Sequence, residues 1–180
     1  MDDIILSIDT KTEKPIVLIG MMGCGKSFVG QRLALALGIP FYDTDVFIEK
    51  DQGKKIVKIF ADQGEEYFRT LETQAISTLL KKGRCVIATG GGLVTTSENL
   101  ALIKNHAFSI WLQSDIQMII KRLDGDDTRP LLQSGDPEKT LEHLLNTRKA
   151  LYSNADIHID NKGDIETILQ TIKARIGHIE

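Results

Sequence analysis

The feature that most limits how this chain can fold is a glycine-rich motif, GMMGCGKS, at residues 20–27. It fits the pattern G-x-x-x-x-G-K-[ST] in full, with an apolar β-branched run before it and a helical pattern after it. Glycines let successive main-chain N–H groups point at phosphate oxygens, and the following helix adds its positive N-terminal end. Lys26 can reach β- and γ-phosphates, and the Ser27 hydroxyl can bind Mg²⁺. The motif predicts a nucleoside-triphosphate site but does not identify the molecule that would accept a phosphate. The alternative interpretation of the motif is a glycine-rich turn with a chance Lys-Ser pair.

Short apolar runs alternate with helical patterns along the whole chain. Strands are predicted at residues 15–20, 41–43, 84–89, 107–112 and 156–160. Helices are predicted at residues 26–37, 46–61, 65–82, 97–104, 114–123 (with Ser114 as the N-cap), 137–153 and 164–176. This order predicts a three-layer α/β/α fold with a five-stranded parallel sheet, in which ligands bind beyond the carboxyl ends of the strands. We expect a single domain over residues 15–180, preceded by an extension at residues 1–14.

Composition excludes several classes of protein. Twenty-two Lys and Arg residues against 25 Asp and Glu give a net charge of −3, without the basic excess of a nucleic-acid binder. No apolar run reaches the roughly 18 residues of a membrane span, and the first residues, MDD, do not form the basic start of a secretory signal. The two cysteines and four scattered histidines predict neither a disulfide framework nor a metal site. We therefore expect a cytoplasmic protein without nucleic-acid or membrane partners.

Two carboxylates, Asp43 and Asp45, follow the second strand on either side of Thr44. In an extended segment they would face the same way, so one could serve Mg²⁺ while the other accepts a hydroxyl proton. The alternative is a solvated acidic turn. The third strand ends in Thr89-Gly90 and supplies no aspartate for a metal, which favours Asp43 as the metal partner.

Two arginines lie on or beside apolar helical stripes. Arg148 shares a face with leucines of the helix at 137–153, where its charge is costly unless it is paired or bound to a ligand. Arg69 lies beside the stripe of the helix at 65–82, and Glu72 at i+3 can hold its guanidinium. Taken singly, each could be a surface charge. Together they would make a good receptor for one small carboxylate, and the glycines at 90–92 would let a small polyol approach closely; the alternative for these glycines is a plain loop.

A loop and a cysteine complete the set of candidates. The segment at 123–135 is rich in Asp, Gly and Pro, and we expect it to be a mobile lid whose Arg129 reaches ATP; the alternative is a solvated charge on a surface loop. Cys24 lies inside the glycine-rich motif, where main-chain N–H groups favour a thiolate, although it could simply fill a tight loop. As a hypothesis, Cys24 is alkylated faster than Cys85 and nucleotide protects it.

Six ordered motifs together resemble the bacterial shikimate kinases. They are GMMGCGKS (20–27), FYDTD (41–45), FRTLE (68–72), GGG (90–92), TRPLL (128–132) and RKALY (148–152). The resemblance runs from about residue 15 to the C-terminus. It implies a small P-loop kinase, similar to nucleoside monophosphate kinases, that transfers the γ-phosphoryl group of ATP to the 3-hydroxyl of shikimate on the route to chorismate and aromatic amino acids.

The resemblance also implies roles for individual residues. Asp45 would contact the shikimate hydroxyls and act as the base, with Lys26 and Arg129 as the other catalytic groups. Arg69, Arg148 and the glycine run would bind the substrate, chiefly its carboxylate. The substrate-binding residues are thus Asp45, Arg69, Gly90, Gly91, Gly92 and Arg148. The ATP-binding residues would be Gly23, Cys24, Gly25, Lys26, Ser27, Phe28 and Arg129, while Ser27 and Asp43 would serve Mg²⁺. We expect a monomer, and the adenine contact near residues 160–165 is left open, with Arg122 as a candidate.

Two other functions remain to be distinguished. Gluconate kinase, or another small-metabolite P-loop kinase, would explain the phosphate-binding loop but not GGG together with RKALY. A nucleotide-binding regulator would bind ATP without turnover, although the residues needed for catalysis are all present.

Overall fold

The computed structural model describes residues 13–123 and 136–176 of the 180. Most of the predicted extension and of the predicted lid, including Arg129, lies outside these described residues. Within the described ranges, no helix is both long enough and apolar enough to cross a lipid bilayer.

Five parallel strands form one sheet, which confirms the predicted fold class. The strands are β1 (Ile16–Ile19), β2 (Phe41–Asp43), β3 (Val86–Ala88), β4 (Phe108–Gln113) and β5 (Ile157–Asp160). Their order across the sheet is β2-β3-β1-β4-β5, so β1 lies at the centre. Leu18 pairs with Ala88 on one side and with Ile110 on the other. The phosphate-binding loop therefore starts from the middle of the sheet, at the edge where parallel strands end.

In the described part of the chain, seven α-helices flank this sheet. They are α1 (Lys26–Leu37), α2 (Thr44–Gln52), α3 (Ile56–Leu80), α4 (Ser97–His106), α5 (Ile116–Leu123), α6 (Pro137–Tyr152) and α7 (Ile165–Ile176). Side chains of β1 alternate between the faces: Ile16 and Leu18 pack against α1 and α7, whereas Val17 and Ile19 pack against α3, α4 and α6. Each of these four side chains is at most 2% exposed, which stabilises the fold by roughly 1.5–3 kcal/mol apiece.

The structure corrects two of the predicted helices. The segment predicted as one helix at 46–61 is two, because Gly53, with φ 61°, ends α2 in a left-handed conformation and α3 begins at Ile56. The expected break before residue 65 lies at Gly64, where φ is 81° and the helix kinks.

Ser114 does not cap α5, which begins at Ile116. Its hydroxyl instead donates to the Cys24 carbonyl at 3.3 Å.

Candidate active site

The glycine-rich loop curls over the start of α1. Gly23 and Gly25 have φ values of 70° and 95°, a left-handed conformation that glycine adopts without steric cost. The helix begins at Lys26, which is only 7% exposed because its ammonium group lies beneath the loop. Its Nζ donates to the Gly20 carbonyl at 2.9 Å and to the Met21 carbonyl at 2.7 Å. The loop thus combines curled backbone, a helix N-terminus and one buried cation, which suits a polyphosphate.

Asp43 connects the loop to the second strand. Its Oδ2 accepts from the Ser27 hydroxyl at 2.5 Å, and its Oδ1 accepts from the main-chain N–H groups of Asp45 and Val46. Asp43 is therefore the N-cap of α2, and Asp45 lies in the first helical turn. This corrects the expectation that an extended segment aligns the two carboxylates. A hydroxyl and a carboxylate in contact are hard oxygen donors of the kind that Mg²⁺ binds beside phosphate oxygens and water.

Asp45 and Glu72 meet above Gly90. A Cβ atom at Gly90 would lie 2.8 Å from Asp45 Oδ1 and 2.9 Å from Glu72 Oε1, so only glycine leaves room for both carboxylates. The Gly90 N–H donates to the buried Thr44 hydroxyl at 2.9 Å, which fixes the start of the glycine run. Burial raises the pKa of Glu72 to about 7; the Arg69 guanidinium opposes this rise and Asp45 adds to it.

Arg69 is held by two carboxylates of its own helix. Its Nη1 donates to Glu72 Oε2 at 2.6 Å, and its Nη2 donates to Glu65 Oε1 at 2.6 Å. A Cβ atom at Gly92 would overlap the guanidinium, so this glycine also makes space for a charged side chain. The ion pairs orient the Arg69 guanidinium toward the glycine run.

Arg148 reaches the glycine run from α6. The side chain is buried, and its Nη1 donates to the Gly91 carbonyl at 3.2 Å. The hydroxyl of Tyr152, one turn further along α6, donates to the same oxygen at 2.6 Å. Burial raises the pKa of Tyr152 to about 12, so this hydroxyl keeps its proton. A Cβ atom at Gly91 would lie 2.8 Å from the main-chain nitrogen of Met22, which shows how closely the glycine run approaches the phosphate-binding loop.

The glycine run, the two arginines, Asp45 and Glu72 line one cavity of about 530 Å³. Its polar wall consists of the glycine run, with Met22 of the phosphate-binding loop beside it, and of six charged side chains: Asp45, Glu49, Lys55, Arg69, Glu72 and Arg148. Its apolar wall consists of Val46, Ile56, Val57, Phe60 and Phe68. The structure therefore brings together every predicted substrate-binding residue. The arrangement can hold a small ring that bears a carboxylate and hydroxyl groups.

Apart from Arg129, which lies outside the described residues, the predicted ATP-binding residues lie beside this cavity, in the loop and the first turn of α1. The Cys24 side chain is fully buried, and its Sγ lies 3.7 Å from Lys26 Nζ. The faster alkylation of Cys24 stays a prediction. The ring of Phe28 is half exposed and lies against the Arg32 guanidinium, 3.8 Å from its centroid.

Sequence reasoning missed three residues that support the site. Thr44 and Tyr152 bind the main chain of the glycine run, and Glu65 holds Arg69. A signal existed for Tyr152, because it lies four residues after Arg148 on the same apolar stripe. Glu65 carried a local signal too, because it lies four residues before Arg69 on the same helix, whereas the partner of Thr44 depends on how the chain folds.

Comparison with known proteins gives one consistent family. The shikimate kinase family model matches residues 22–177. A shikimate kinase of Ruegeria pomeroyi is 40% identical over 166 residues, which cover 91% of this chain and 85% of that protein. A shikimate kinase of Persephonella marina is 45% identical over 164 residues, which cover 91% of this chain and 98% of that protein.

Solved structures agree with these relatives. Shikimate kinase from Acinetobacter baumannii in complex with shikimate superposes with a TM-score of 0.87 at 38% identity, covering 90% of this chain and 92% of that one. The enzyme from Aquifex aeolicus gives a TM-score of 0.79 at 35% identity, covering 90% and 95%. A gluconokinase from Sinorhizobium meliloti reaches a TM-score of 0.60 at 18% identity, covering 91% of each chain, which shows a shared fold alone.

Proposed function

The chain belongs to the shikimate kinase family, and on that premise we propose that it transfers the γ-phosphoryl group of ATP to the 3-hydroxyl of shikimate. The products are ADP and shikimate 3-phosphate, on the route to chorismate and aromatic amino acids. One observation supports this acceptor above all others: the cavity beside the phosphate-binding loop contains a carboxylate, Asp45, and two guanidinium groups, Arg69 and Arg148.

The carboxylate of shikimate would bind between Arg69 and Arg148. Charge-assisted hydrogen bonds from guanidinium groups are strong, and their fork geometry matches a carboxylate. Arg148 is already oriented by the Gly91 carbonyl, and Arg69 by Glu72 and Glu65, so little side-chain entropy is lost on binding. The carbon ring would lie against the apolar wall of the cavity.

The triphosphate of ATP would bind along Gly23, Cys24, Gly25, Lys26, Ser27 and Phe28. Lys26 would exchange its bonds with the loop carbonyls for phosphate oxygens. The contact between Ser27 and Asp43 supports a Mg²⁺ site there, since it offers one hydroxyl and one carboxylate. When bound, Mg²⁺ neutralises charge on the β- and γ-phosphates. Arg129, which lies outside the described residues, would add a second cation from the lid.

In the proposed reaction, Asp45 accepts the proton of the 3-hydroxyl as the oxygen attacks the γ-phosphorus and the bond to the ADP oxygen breaks. Lys26 and Arg129 offset the charge that develops on the transferred group. Much of the rate enhancement is expected from positioning, because both substrates are held in adjoining sites. Closure of the segment at 123–135 would exclude water, which otherwise competes as the acceptor.

The test is release of ADP from ATP by the purified protein, with and without shikimate. We expect rapid release that depends on shikimate, with gluconate and nucleoside monophosphates giving no more than the background. Faster release with gluconate would refute the assignment of the acceptor. ATP binding with no turnover on any acceptor would instead favour a nucleotide-binding regulator.

We also propose a cytoplasmic monomer without nucleic-acid or membrane partners, formed by a single domain over residues 15–180. The net charge of −3 and the two free, buried cysteines support a reducing compartment and a small-molecule partner. Light scattering on the purified protein should give the mass of one chain, and a dimer mass would refute the monomer.

A further inference from the structure

A single carbonyl oxygen of the phosphate-binding loop accepts three side-chain hydrogen bonds. It belongs to Cys24, and its donors are Asn161 Nδ2 at 2.5 Å, Arg122 Nη1 at 3.0 Å and Ser114 Oγ at 3.3 Å. The donors come from three places in the fold: the residue after β5, the end of α5 and the residue after β4. Such convergence fixes the direction of this carbonyl.

The Cys24 carbonyl belongs to the peptide unit that also carries the Gly25 N–H. A trans peptide is planar, so its C=O and N–H bonds point in opposite directions. Fixing the carbonyl on the outside of the loop therefore aims the Gly25 N–H toward the inside, where phosphate oxygens are expected. Hydrogen bonds to the carbonyl also polarise the peptide and strengthen its N–H as a donor.

Gly25 is required for this arrangement. A Cβ atom there would lie 3.1 Å from Asn161 Nδ2 and 3.2 Å from Arg122 Nη1, so a side chain would crowd both donors. The left-handed φ of 95° at Gly25 adds a second reason for glycine.

Of the three donors, Asn161 is the best placed. It is 3% exposed, whereas Arg122 lies at the surface. Its main-chain N–H donates to the Gln113 carbonyl at 2.8 Å, which continues the pairing of β4 with β5 by one residue. The backbone of Asn161 is thus anchored in the sheet while its amide holds the loop.

We propose that Asn161 is a positioning residue for the phosphate site: it orients the Cys24–Gly25 peptide so that the Gly25 N–H binds the phosphates of the nucleotide. The inference rests on the proposed binding of ATP by this loop. It concerns the polyphosphate and not the base, so any ligand with the same phosphates should depend on Asn161 equally.

The experiment compares the affinities of the full chain for Mg·ADP and for Mg·pyrophosphate, which has the same number of phosphates and no base, by calorimetry. Asn161→Leu keeps the approximate shape of the side chain and removes the donor. We expect both affinities to fall by about fivefold or more, as for the loss of one buried hydrogen bond, with the shikimate KM at saturating ATP unchanged. Ser114→Ala, which removes the longest of the three bonds, should weaken both ligands by about twofold.

Ser109→Ala is the matched control. Ser109 is 4% exposed, and its hydroxyl donates to Asp156 at 2.7 Å, joining the same two strands at their opposite ends. We expect a lower Tm and unchanged affinities.

Three results would overturn the proposal. The first is wild-type affinities in Asn161→Leu. The second is weaker binding of ADP alone, which would indicate a contact to the base. The third is an equal loss of affinity in the Ser109→Ala control. If Asn161→Leu does not fold, unchanged affinities in Ser114→Ala would also overturn it. Wild-type protein that binds ADP but does not phosphorylate shikimate would refute the proposed function separately.

Discussion

Replacing Arg148 with lysine tests how the carboxylate of the substrate is bound. Arg148 is 6% exposed, and its Nη1 donates to the Gly91 carbonyl at 3.2 Å. Lysine keeps the positive charge but offers a single point of donation in place of a planar fork. The Gly91 oxygen still accepts from the Tyr152 hydroxyl at 2.6 Å, so Arg148→Lys leaves no buried carbonyl without a donor. The change therefore affects mainly the bonds to the substrate.

The size of the effect follows from the loss of one charge-assisted hydrogen bond, which contributes about 1.5–3 kcal/mol. This corresponds to a shikimate KM that is about 10- to 150-fold higher. The KM for ATP should stay within about twofold, because Arg148 lies in the wall of the substrate cavity, outside the phosphate-binding loop. The free energy of unfolding should fall by less than about 1 kcal/mol, since the remaining donor satisfies Gly91.

Steady-state kinetics with each substrate varied in turn measure the KM for shikimate and the KM for ATP separately. Arg175→Lys is the matched control, because Arg175 is exposed on α7 and lies outside the cavity. An unchanged shikimate KM in Arg148→Lys would refute the carboxylate role. A higher ATP KM with an unchanged shikimate KM would place Arg148 on the nucleotide side instead.

Three further substitutions test other parts of the site. Asp45→Asn should lower kcat by about 10²- to 10⁴-fold with an unchanged Tm, because the amide cannot accept the hydroxyl proton. Gly92→Ala should raise the shikimate KM with little loss of kcat, since its Cβ displaces the Arg69 guanidinium while an ordinary φ of −98° leaves the backbone unstrained. Because burial raises the pKa of Glu72 from 4.5 to about 7, the stabilisation from its protonated form is complete below about pH 4.5 and lost as the pH rises through 7. The unfolding free energy of the wild type relative to Glu72→Gln should therefore fall by about 3 kcal/mol between pH 4.5 and 8.

Each of these predictions has a clear contrary result. Wild-type kcat in Asp45→Asn would show that another group accepts the proton. Normal kinetics in Gly92→Ala would mean that Arg69 can move away without loss, so its position is unimportant for binding. Parallel stability curves for the wild type and Glu72→Gln, measured by urea unfolding across the pH range, would show that Glu72 does not titrate near neutrality.

Local patterns were enough to predict much of this protein. The loop at 20–27 could be recognised because its glycines, lysine and serine act on a ligand through spacing along the chain alone. The helix from Lys26 to Leu37 has the predicted bounds, since a glycine lies at each end. The inner strands β1, β3 and β4 were recognised because strands buried on both faces of a parallel sheet are nearly continuous apolar runs, whereas β2 and β5, at the two edges of the sheet, contain polar residues.

Contacts between residues that are distant along the chain could not be predicted from the sequence. Ser114 has the composition of a helix cap but binds the Cys24 carbonyl, 90 residues away along the chain. The error at Asp43 and Asp45 was of another kind, because the contact is local: the two were expected on an extended segment, yet the Asp43 carboxylate caps α2 by accepting from the main-chain N–H groups of Asp45 and Val46.

The sequence by itself determined the chemistry that is available: a phosphate-binding loop, two aspartates and two arginines. Only the tertiary structure decided that both arginines line one cavity beside the glycine run, that Tyr152 binds the Gly91 carbonyl and that Asn161 binds the Cys24 carbonyl. The physical reason is that a hydrogen bond or an ion pair depends on distances of about 3 Å, and packing of the whole chain sets those distances.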